Sequence, residues 1–202
     1  MTSTSLPRLL LATTNSGKLE ELNALLQDAP FTLLNPADLG LDLEVAEEGS
    51  DYAANARTKA LAFAQASGLW ALADDTGLEV DALGGGPGLF SRRLAGSDFE
   101  RRQRLLLMLA SFPRPWTATF RCAVALAGPR GNLLTADGDC PGEILPTPRG
   151  AGGFGYDPLF LVAGTTQTMA ELSLEEKNRL SHRARAVRAL WPELKSRLMA
   201  SS

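Results

Sequence analysis

The sequence predicts an α/β protein in which ligand-binding residues follow the buried strands of an open sheet. Residues 8–12 and 68–73 are apolar runs with the length of short buried strands. A helix is predicted over residues 19–26, because its leucines recur on one face, and a second helix over residues 52–66. Since ligands bind at strand ends in such sheets, the loops after both strands are candidate site segments.

Length and composition predict one globular domain, or one domain with two lobes. The chain has 202 residues, of which 45% are hydrophobic and 21% charged. We expect residues 1–7 to form a flexible tail and residues 8–199 to form the folded domain. The net charge of −3 argues against a broad nucleic-acid-binding face, which needs a surplus of lysine and arginine.

The cysteines and the hydropathy pattern predict a cytoplasmic location. The two cysteines have neither the spacing of a metal motif nor that of a disulfide framework, which is typical of a reducing compartment. The first residues lack the apolar block of a signal peptide, and no apolar run approaches the ~20 residues of a membrane span. We therefore expect no membrane attachment.

The turn after the first strand has features of an anion-binding site. It runs from Thr13 to Lys18 and ends in Ser-Gly-Lys, directly before the predicted helix. Free N–H groups at a helix start and a lysine both favour a bound anion. The turn lacks the leading glycine and the spacer of a P-loop. Plain helix capping is the alternative interpretation.

Two adjacent carboxylates, Asp74 and Asp75, follow the second strand. We expect the strand to end there and the backbone to turn at Gly77. Two like charges at a partly buried strand end are costly unless a cation lies between them or one of them is protonated. A divalent cation or a proton to be moved would explain the pair. A solvated turn is the alternative, because aspartate is a common turn former.

The helix over residues 52–66 carries Asn55 and Lys59 on one face, because they are four residues apart. Glu47 and Glu48 lie just before this helix, so a glutamate and an aspartate can converge on one cation near Lys59. Hard oxygen ligands of this kind suit magnesium. A charged helix entry favoured by the helix dipole is the alternative for the two glutamates.

The second half of the chain continues the alternation of helices and strands. Residues 117–127 alternate between apolar and polar side chains, which predicts a half-buried strand and makes Cys122 a core residue. Pro192 lies inside the apolar stripe of the last helix and predicts a kink or a break near Arg188. The other predicted elements are a helix over 98–111 capped by Ser97 or Asp98, a strand over 133–139, a strand over 159–162, a short helix after a capping box of Ser173 and Glu176, and a helix after Ser181.

A second glycine-rich segment, residues 150–158, surrounds Phe154 and Tyr156. Glycines let the backbone approach a flat ligand while an aromatic ring stacks on it, although a mobile hairpin loop has the same composition. His182 and Arg183 begin the last helix and together form a cluster of hydrogen-bond donors. Such donors are what a carbonyl-bearing base needs, and a structural role is the alternative for the histidine.

Five of these segments, taken in order over residues 9–190, resemble the inosine triphosphate pyrophosphatase family, also called the Ham1 family of non-canonical purine nucleoside triphosphate pyrophosphatases. Each motif is weak alone, whereas five in sequence are specific. The segments are 12–18 (ATTNSGK), 55–60 (NARTKA), 72–78 (LADDTGL), 153–158 (GFGYDP) and 175–183 (EEKN, then SHR).

The resemblance implies a magnesium-dependent enzyme that hydrolyses ITP, XTP and their deoxy forms to the monophosphate and pyrophosphate. Its partners would be a small nucleotide substrate and a second copy of the chain in a homodimer. The implied fold is an elongated mixed β-sheet flanked by helices, with two lobes around a central nucleotide-binding cleft.

The resemblance also implies the roles of individual residues. Asp75 would be the catalytic carboxylate and a magnesium contact, Lys59 would assist at the phosphates, and Glu48 or Glu47 would complete the metal site. Thr14 stands where many members have glycine, and the segment after Glu48 is one residue shorter than usual, which leaves the choice of glutamate open. The residues implied to bind the nucleotide are Thr13, Thr14, Asn15, Ser16, Gly17, Lys18, Thr76, Phe154, Gly155, Tyr156, Asp157, Lys177, His182 and Arg183.

Two alternatives from other classes are a pyrophosphatase of the Maf type, which should lack the Ser-His-Arg helix start, and a nucleotide-sensing module that binds ITP without cleaving it. Release of pyrophosphate from a panel of nucleotides separates all three.

Overall fold

The computed structural model describes residues 6–200, in which seven strands form one mixed sheet accompanied by five α-helices. Residues 1–5 of the predicted tail lie outside the described residues. The strands are β1 (Arg8–Leu11), β2 (Thr32–Leu34), β3 (Trp70–Val80), β4 (Pro87–Gly88), β5 (Trp116–Ala127), β6 (Leu133–Ile144) and β7 (Phe160–Val162). The helices are α1 (Ser16–Leu26), α2 (Tyr52–Ser67), α3 (Asp98–Leu109), α4 (Leu174–Leu180) and α5 (His182–Met199).

The sheet is mixed, as predicted. Its strand order is β2-β1-β3-β5-β6-β7, with β4 paired to β3. β1 lies parallel to both β2 and β3, whereas the β3–β4 and β6–β7 pairs are antiparallel. Among residues 6–200, no helix combines the length and apolarity needed to cross a bilayer.

The described chain divides into two compact units. The first comprises residues 6–75, 123–137 and 186–200, and the second comprises residues 76–122 and 138–185.

Small side chains bring α2 close to the strands in the first unit. Ala56, Ala60 and Ala64 are four residues apart, which places them on one face of the helix, and all three are fully buried. They share one core cluster with Ala71 and Ala73 of β3. The alanines of α2 and of β3 have no atoms beyond Cβ. Their contact therefore places the α2 backbone near β3.

α1 begins three residues earlier than predicted. Asn15 caps it, with Oδ1 accepting the backbone N–H of Lys18 at 3.0 Å. Ser16, Gly17 and Lys18 therefore form the first helical turn rather than a preceding loop. The first N–H groups of a helix lack partners within it, and the Asn15 side chain takes up the one of Lys18.

The predicted end of β3 at Asp74 and Asp75, with a turn at Gly77, is wrong. The strand continues to Val80, because Leu78 and Val80 are fully buried and Leu78 pairs with Gly88 of β4. The pairing of β3 with β1, in contrast, ends at Leu72. Asp74 and Asp75 consequently lie within a strand, just beyond the carboxyl end of its parallel neighbour.

The last helix continues through its proline. α5 runs unbroken over His182–Met199 with Pro192 inside it. The predicted break near Arg188 is wrong because the apolar stripe that includes Leu190, Leu194 and Leu198 is buried along the helix. Burial of that stripe compensates for the hydrogen bond that proline cannot donate.

The helix and strand predicted over residues 98–111 and 117–127 are confirmed to within two residues, and Cys122 is buried as expected. β2 was not predicted from the sequence. β6 extends five residues past the predicted Asp139, because Gly142–Ile144 pairs with β7.

Phe120 and Phe160 lie at the centre of the second unit's core, with ring centroids 4.4 Å apart. Leu105 and Leu109 of α3 pack in the same cluster. Gly142 of β6 lies where an added Cβ would be 2.3 Å from the carbonyl oxygen of Leu161 and 2.6 Å from the Phe160 ring. The β6–β7 pair therefore requires glycine at this position.

We expect Gly142→Ala to lower the free energy of unfolding by about 1–3 kcal/mol, because the strand pair must separate to admit the methyl group. Urea denaturation measures the change. Gly96→Ala is the matched control, since its Cβ would meet only the end of the Glu100 side chain at 3.4 Å. Equal stability of the Gly142 variant and the wild type would contradict the close contact.

Candidate functional site

The first unit gathers three acidic and two basic side chains from four segments of the chain. Lys18 comes from the first turn of α1 and Lys59 from α2, Asp74 and Asp75 come from β3, and Glu47 precedes α2. We refer to these five residues as the acid-lysine cluster. The sequence predicts that Asp75 lies near both lysines and near either Glu47 or Glu48.

The ammonium group of Lys59 contacts all three acidic residues. Its Nζ lies 2.8 Å from Glu47 Oε1, 2.7 Å from the backbone oxygen of Asp74 and 3.7 Å from Asp75 Oδ1. Burial lowers the pKa of Lys59, but the neighbouring carboxylates outweigh this effect and hold the pKa above its usual value. Lys59 therefore remains a cation at neutral pH and cannot serve as a base.

Asp74 anchors the two lysines. Lys18 Nζ lies 3.1 Å from Asp74 Oδ2 and donates to the Asp74 backbone oxygen at 3.3 Å, while Lys59 donates to the same oxygen. The Asp74 side chain is fully buried, whereas that of Asp75 keeps 10% of its surface exposed. Of the adjacent pair, Asp75 is thus the carboxylate that a ligand can reach.

The Asp75 carboxylate is held by an amide on one side and an ammonium group on the other. Asn55 Nδ2 donates to Asp75 Oδ2 at 2.9 Å, and Lys59 lies near Oδ1. Burial raises the pKa of the Asp75 carboxyl above its ordinary value, although Lys59 and Asn55 both act to lower it. Asp75 is therefore a stronger base than an exposed aspartate.

Asn55 is a site residue that the sequence analysis did not assign. The backbone N–H of Gly49 donates to Asn55 Oδ1 at 2.7 Å, which turns the Nδ2 group toward Asp75. A Cβ at Gly49 would lie 2.6 Å from Asn55 Oδ1. The helical face that Asn55 shares with Lys59 indicates that Asn55 lies near the site. Its partner Asp75, however, is 20 positions further along the chain and no local pattern identifies it.

The two glutamates before α2 differ in their surroundings. Glu47 contacts Lys59 and is partly buried, whereas Glu48 is exposed. Among residues 6–200, no group of three or more His, Cys, Asp or Glu side chains is arranged to hold a metal ion by itself.

The turn between β1 and α1 is held by its own side chains. Thr13 Oγ1 accepts the backbone N–H of Asn15 at 3.2 Å, and the Asn15 side chain caps α1. Thr14 and Ser16 are exposed, and Gly17 is partly buried in the first helical turn.

The second unit gathers the other predicted site residues around the segment 150–157, which we call the glycine loop. Asp157 Oδ2 accepts the backbone N–H of Phe154 at 2.8 Å and pairs with Lys177 Nζ at 2.6 Å. Gly153 has a φ of +67°, and a Cβ there would lie 2.1 Å from Asp157 Oδ2. The loop therefore closes on a buried ion pair.

Two cations lie over the half-buried Phe154 ring. Lys177 Nζ is 5.1 Å and Arg183 Cζ is 5.7 Å from the ring centroid. Arg183 is only 1% exposed. His182, which is also buried, stacks on Phe120 with ring centroids 4.7 Å apart. Of the predicted donors at the start of α5, Arg183 thus lies over Phe154, whereas His182 packs against Phe120.

Tyr156 is fixed in the second unit by its hydroxyl, which donates to the backbone oxygen of Ser91 at 2.8 Å. Burial raises the pKa of Tyr156 to about 12, so the phenol stays neutral at physiological pH. Thr76 is partly buried on β3. The predicted site residues consequently fall into two sets, one in each unit.

Comparison with known proteins places the chain in a family. The Ham1 family model matches residues 9–193, and the chain belongs to this family, which confirms the resemblance drawn from the sequence motifs. A dITP/XTP pyrophosphatase of Geobacter sulfurreducens is 50% identical over 191 residues, covering 93% of this chain and 96% of that protein. One from Desulforamulus reducens is 47% identical over 185 residues, covering 90% and 92% respectively.

The fold is shared with solved structures as well. A HAM1 protein from Coxiella burnetii is 39% identical and superposes with a TM-score of 0.83, covering 95% of this chain and 100% of that one. The predicted α/β class with a mixed sheet and accompanying helices is therefore confirmed.

We expect Asn55→Ala to lower the free energy of unfolding by about 1–3 kcal/mol, because it leaves the Gly49 N–H and the Asp75 carboxylate without their buried partner. Chemical denaturation measures the loss. Asn23→Ala, an exposed substitution on α1 in the same unit, should change stability by less than about 0.5 kcal/mol. Similar stabilities for the two variants would contradict the buried bridge.

Proposed function

We propose that this protein is a nucleoside triphosphate pyrophosphatase that hydrolyses ITP, dITP, XTP and dXTP to the monophosphate and pyrophosphate. Membership of the Ham1 family and the names of the related dITP/XTP pyrophosphatases support this assignment. The acid-lysine cluster is the observation that carries it, because it sets the reachable Asp75 carboxylate beside the ammonium group of Lys59, with Lys18 paired to the adjacent Asp74.

The triphosphate is assigned to the first turn of α1 and to the two lysines. Unpaired N–H groups at a helix start bind phosphate oxygens, and a buried ammonium group attracts an anion strongly. The raised pKa of Lys59 keeps its positive charge in place for this purpose. Thr13, Asn15 and Ser16 supply further polar groups beside the turn.

The donor chemistry of the cluster fits Mg²⁺. Glu47 and Asp75 both contact the Lys59 ammonium group, so the two carboxylates lie near each other. Mg²⁺ is usually bound through one or two carboxylates together with water and substrate phosphates, rather than by a cage of protein ligands. Since only Glu47 of the two glutamates contacts the cluster, we propose Glu47 and Asp75 as the ligands, with Glu48 outside the site. When bound, the ion would supply positive charge at the phosphates.

Asp75 is proposed to orient and deprotonate the attacking water. The water oxygen forms a bond to the α-phosphorus while the bond from that phosphorus to the bridging oxygen breaks, and the electron pair leaves with pyrophosphate. The water proton passes to Asp75, whose carboxylate Asn55 and Lys59 hold in position. Lys18 and Lys59 stabilise the negative charge that develops on the leaving group.

The base is assigned to the second unit. Phe154 would stack on the purine, and the buried donors His182 and Arg183 would recognise the oxygen at its 6-position. ITP and XTP satisfy such donors, whereas the 6-amino group of ATP leaves them unpaired. Lys177 and Asp157 hold the glycine loop in place, and rejection of GTP must involve the 2-position.

We expect Asp75→Asn to lower kcat for ITP by about 10²–10⁴-fold, because the amide cannot accept the water proton. Pyrophosphate release measures the loss, and circular dichroism should show an intact fold. Asp42→Asn, an exposed substitution in the same unit, should leave kcat unchanged. A wild-type kcat in the Asp75 variant would refute the role.

We expect Arg183→Ala to lower kcat/KM for ITP by about 5- to 150-fold more than kcat/KM for ATP. A difference of this size corresponds to the roughly 1–3 kcal/mol of one lost hydrogen-bond partner. Because Arg183 is buried, Arg183→Lys and the melting temperature separate lost recognition from lost stability. Arg185→Ala, on the exposed side of α5, is the control. Equal losses with ITP and ATP would assign Arg183 a structural role.

A panel of ITP, XTP, dITP, GTP, ATP and dUTP tests the whole assignment. Cleavage confined to the non-canonical purines supports it, preferential cleavage of dUTP favours the Maf-type alternative, and binding without pyrophosphate release favours a sensing module. A homodimer, a cytoplasmic location and the absence of nucleic-acid and membrane partners remain predictions, of which light scattering tests the first.

A further inference from the structure

Two side chains on one face of α3 hydrogen-bond to the backbone of the glycine loop. Asp98 Oδ2 accepts the backbone N–H of Gly155 at 2.7 Å, and Arg102 Nη1 donates to the backbone oxygen of the same residue at 2.8 Å. Asp98 and Arg102 are four residues apart and therefore share a helical face. Both polar groups of a single residue's backbone are thus held by α3.

The Asp98 carboxylate is itself held in place. Arg101 Nη1 pairs with Asp98 Oδ1 at 2.7 Å, so both carboxylate oxygens are engaged. Arg101 Nε also donates to the backbone oxygen of Ala95. Asp98 lies in the first turn of α3, where the helix dipole favours a negative charge. The carboxylate that receives the Gly155 N–H therefore has a fixed position.

Gly155 suits this contact because of its backbone conformation. Its φ is +60°, a region that L side chains rarely adopt, and it is buried. The Phe154 N–H donates only within the loop, to Asp157, and the Tyr156 hydroxyl donates to the backbone oxygen of Ser91. Release of Gly155 would free the segment on which Phe154 stands.

We infer that α3 is a positioning element for base recognition, with Asp98 and Arg102 as positioning residues that fix the Phe154 ring through Gly155. This inference rests on the proposed function for its substrate, because that function assigns the purine to Phe154. Neither residue needs to touch the nucleotide. Their effect should be confined to binding of the base and absent from binding of the phosphates.

The test compares Arg102→Ala with Arg104→Ala, an exposed arginine two positions further along the same helix. We expect Arg102→Ala to raise KM for ITP by about 10- to 100-fold, the size of effect that a misplaced substrate-positioning group produces. The kcat should change by less than about threefold. The inhibition constant of inorganic tripolyphosphate, which has no base, should not change.

Hydrogen exchange provides a readout that does not depend on catalysis. Backbone amides of residues 150–157 should exchange faster in Arg102→Ala than in Arg104→Ala or the wild type. Arg102→Lys, which keeps a donor of similar length, should restore part of both the exchange protection and the KM, and it serves as the second variant if Arg102→Ala folds poorly.

Two results would overturn the inference. One is unchanged exchange in the glycine loop of Arg102→Ala, and the other is a parallel change of KM, kcat and the tripolyphosphate inhibition constant. Failure of the wild type to cleave ITP would instead refute the proposed function, and the exchange experiment would still decide whether α3 holds the loop.

Discussion

Charge compensation around the carboxylates of β3 is the constraint on which the first unit depends. Asp74 and Asp75 are adjacent and almost completely removed from water, which is tolerable only because Lys18 and Lys59 reach them from two helices. Removing one partner of a buried ion pair costs about 3–5 kcal/mol. The ion pairs therefore dock α1 and α2 against the sheet, and the same ammonium groups are the ones proposed to bind phosphate.

Glycine is required where backbone and side chains of the site meet most closely. Gly49 admits the Asn55 amide that orients Asp75, and Gly153 admits the Asp157 carboxylate that closes on Lys177. A Cβ at either glycine would lie too close to a side-chain oxygen that already accepts a hydrogen bond, Oδ1 of Asn55 or Oδ2 of Asp157. These glycines thus set the position of charged groups rather than lending flexibility to their loops.

The two units stabilise their candidate residues by different means. In the first unit, acids and lysines compensate one another directly. In the second, Phe154 is bonded to Asp157 within the glycine loop, Gly155 to Asp98 and Tyr156 to Ser91. The Phe154 ring lies beneath the cations of Lys177 and Arg183. A ring fixed on a rigid loop loses little conformational entropy when it stacks on a base, which favours binding.

The sequence by itself determined the periodic elements, the family and the chemical character of the site, because apolar spacing, capping residues and short motifs are local properties. It failed at Gly77 and near Arg188, where burial of Leu78 and of the α5 stripe overrode the local preference of glycine and proline. Only the tertiary structure decided three contacts. Asn55 bridges Gly49 to Asp75, and Glu47 rather than Glu48 contacts Lys59. Asp98 of α3 accepts the backbone N–H of Gly155. These contacts join residues far apart in the chain, and their hydrogen bonds depend on how helices pack, which no local pattern records.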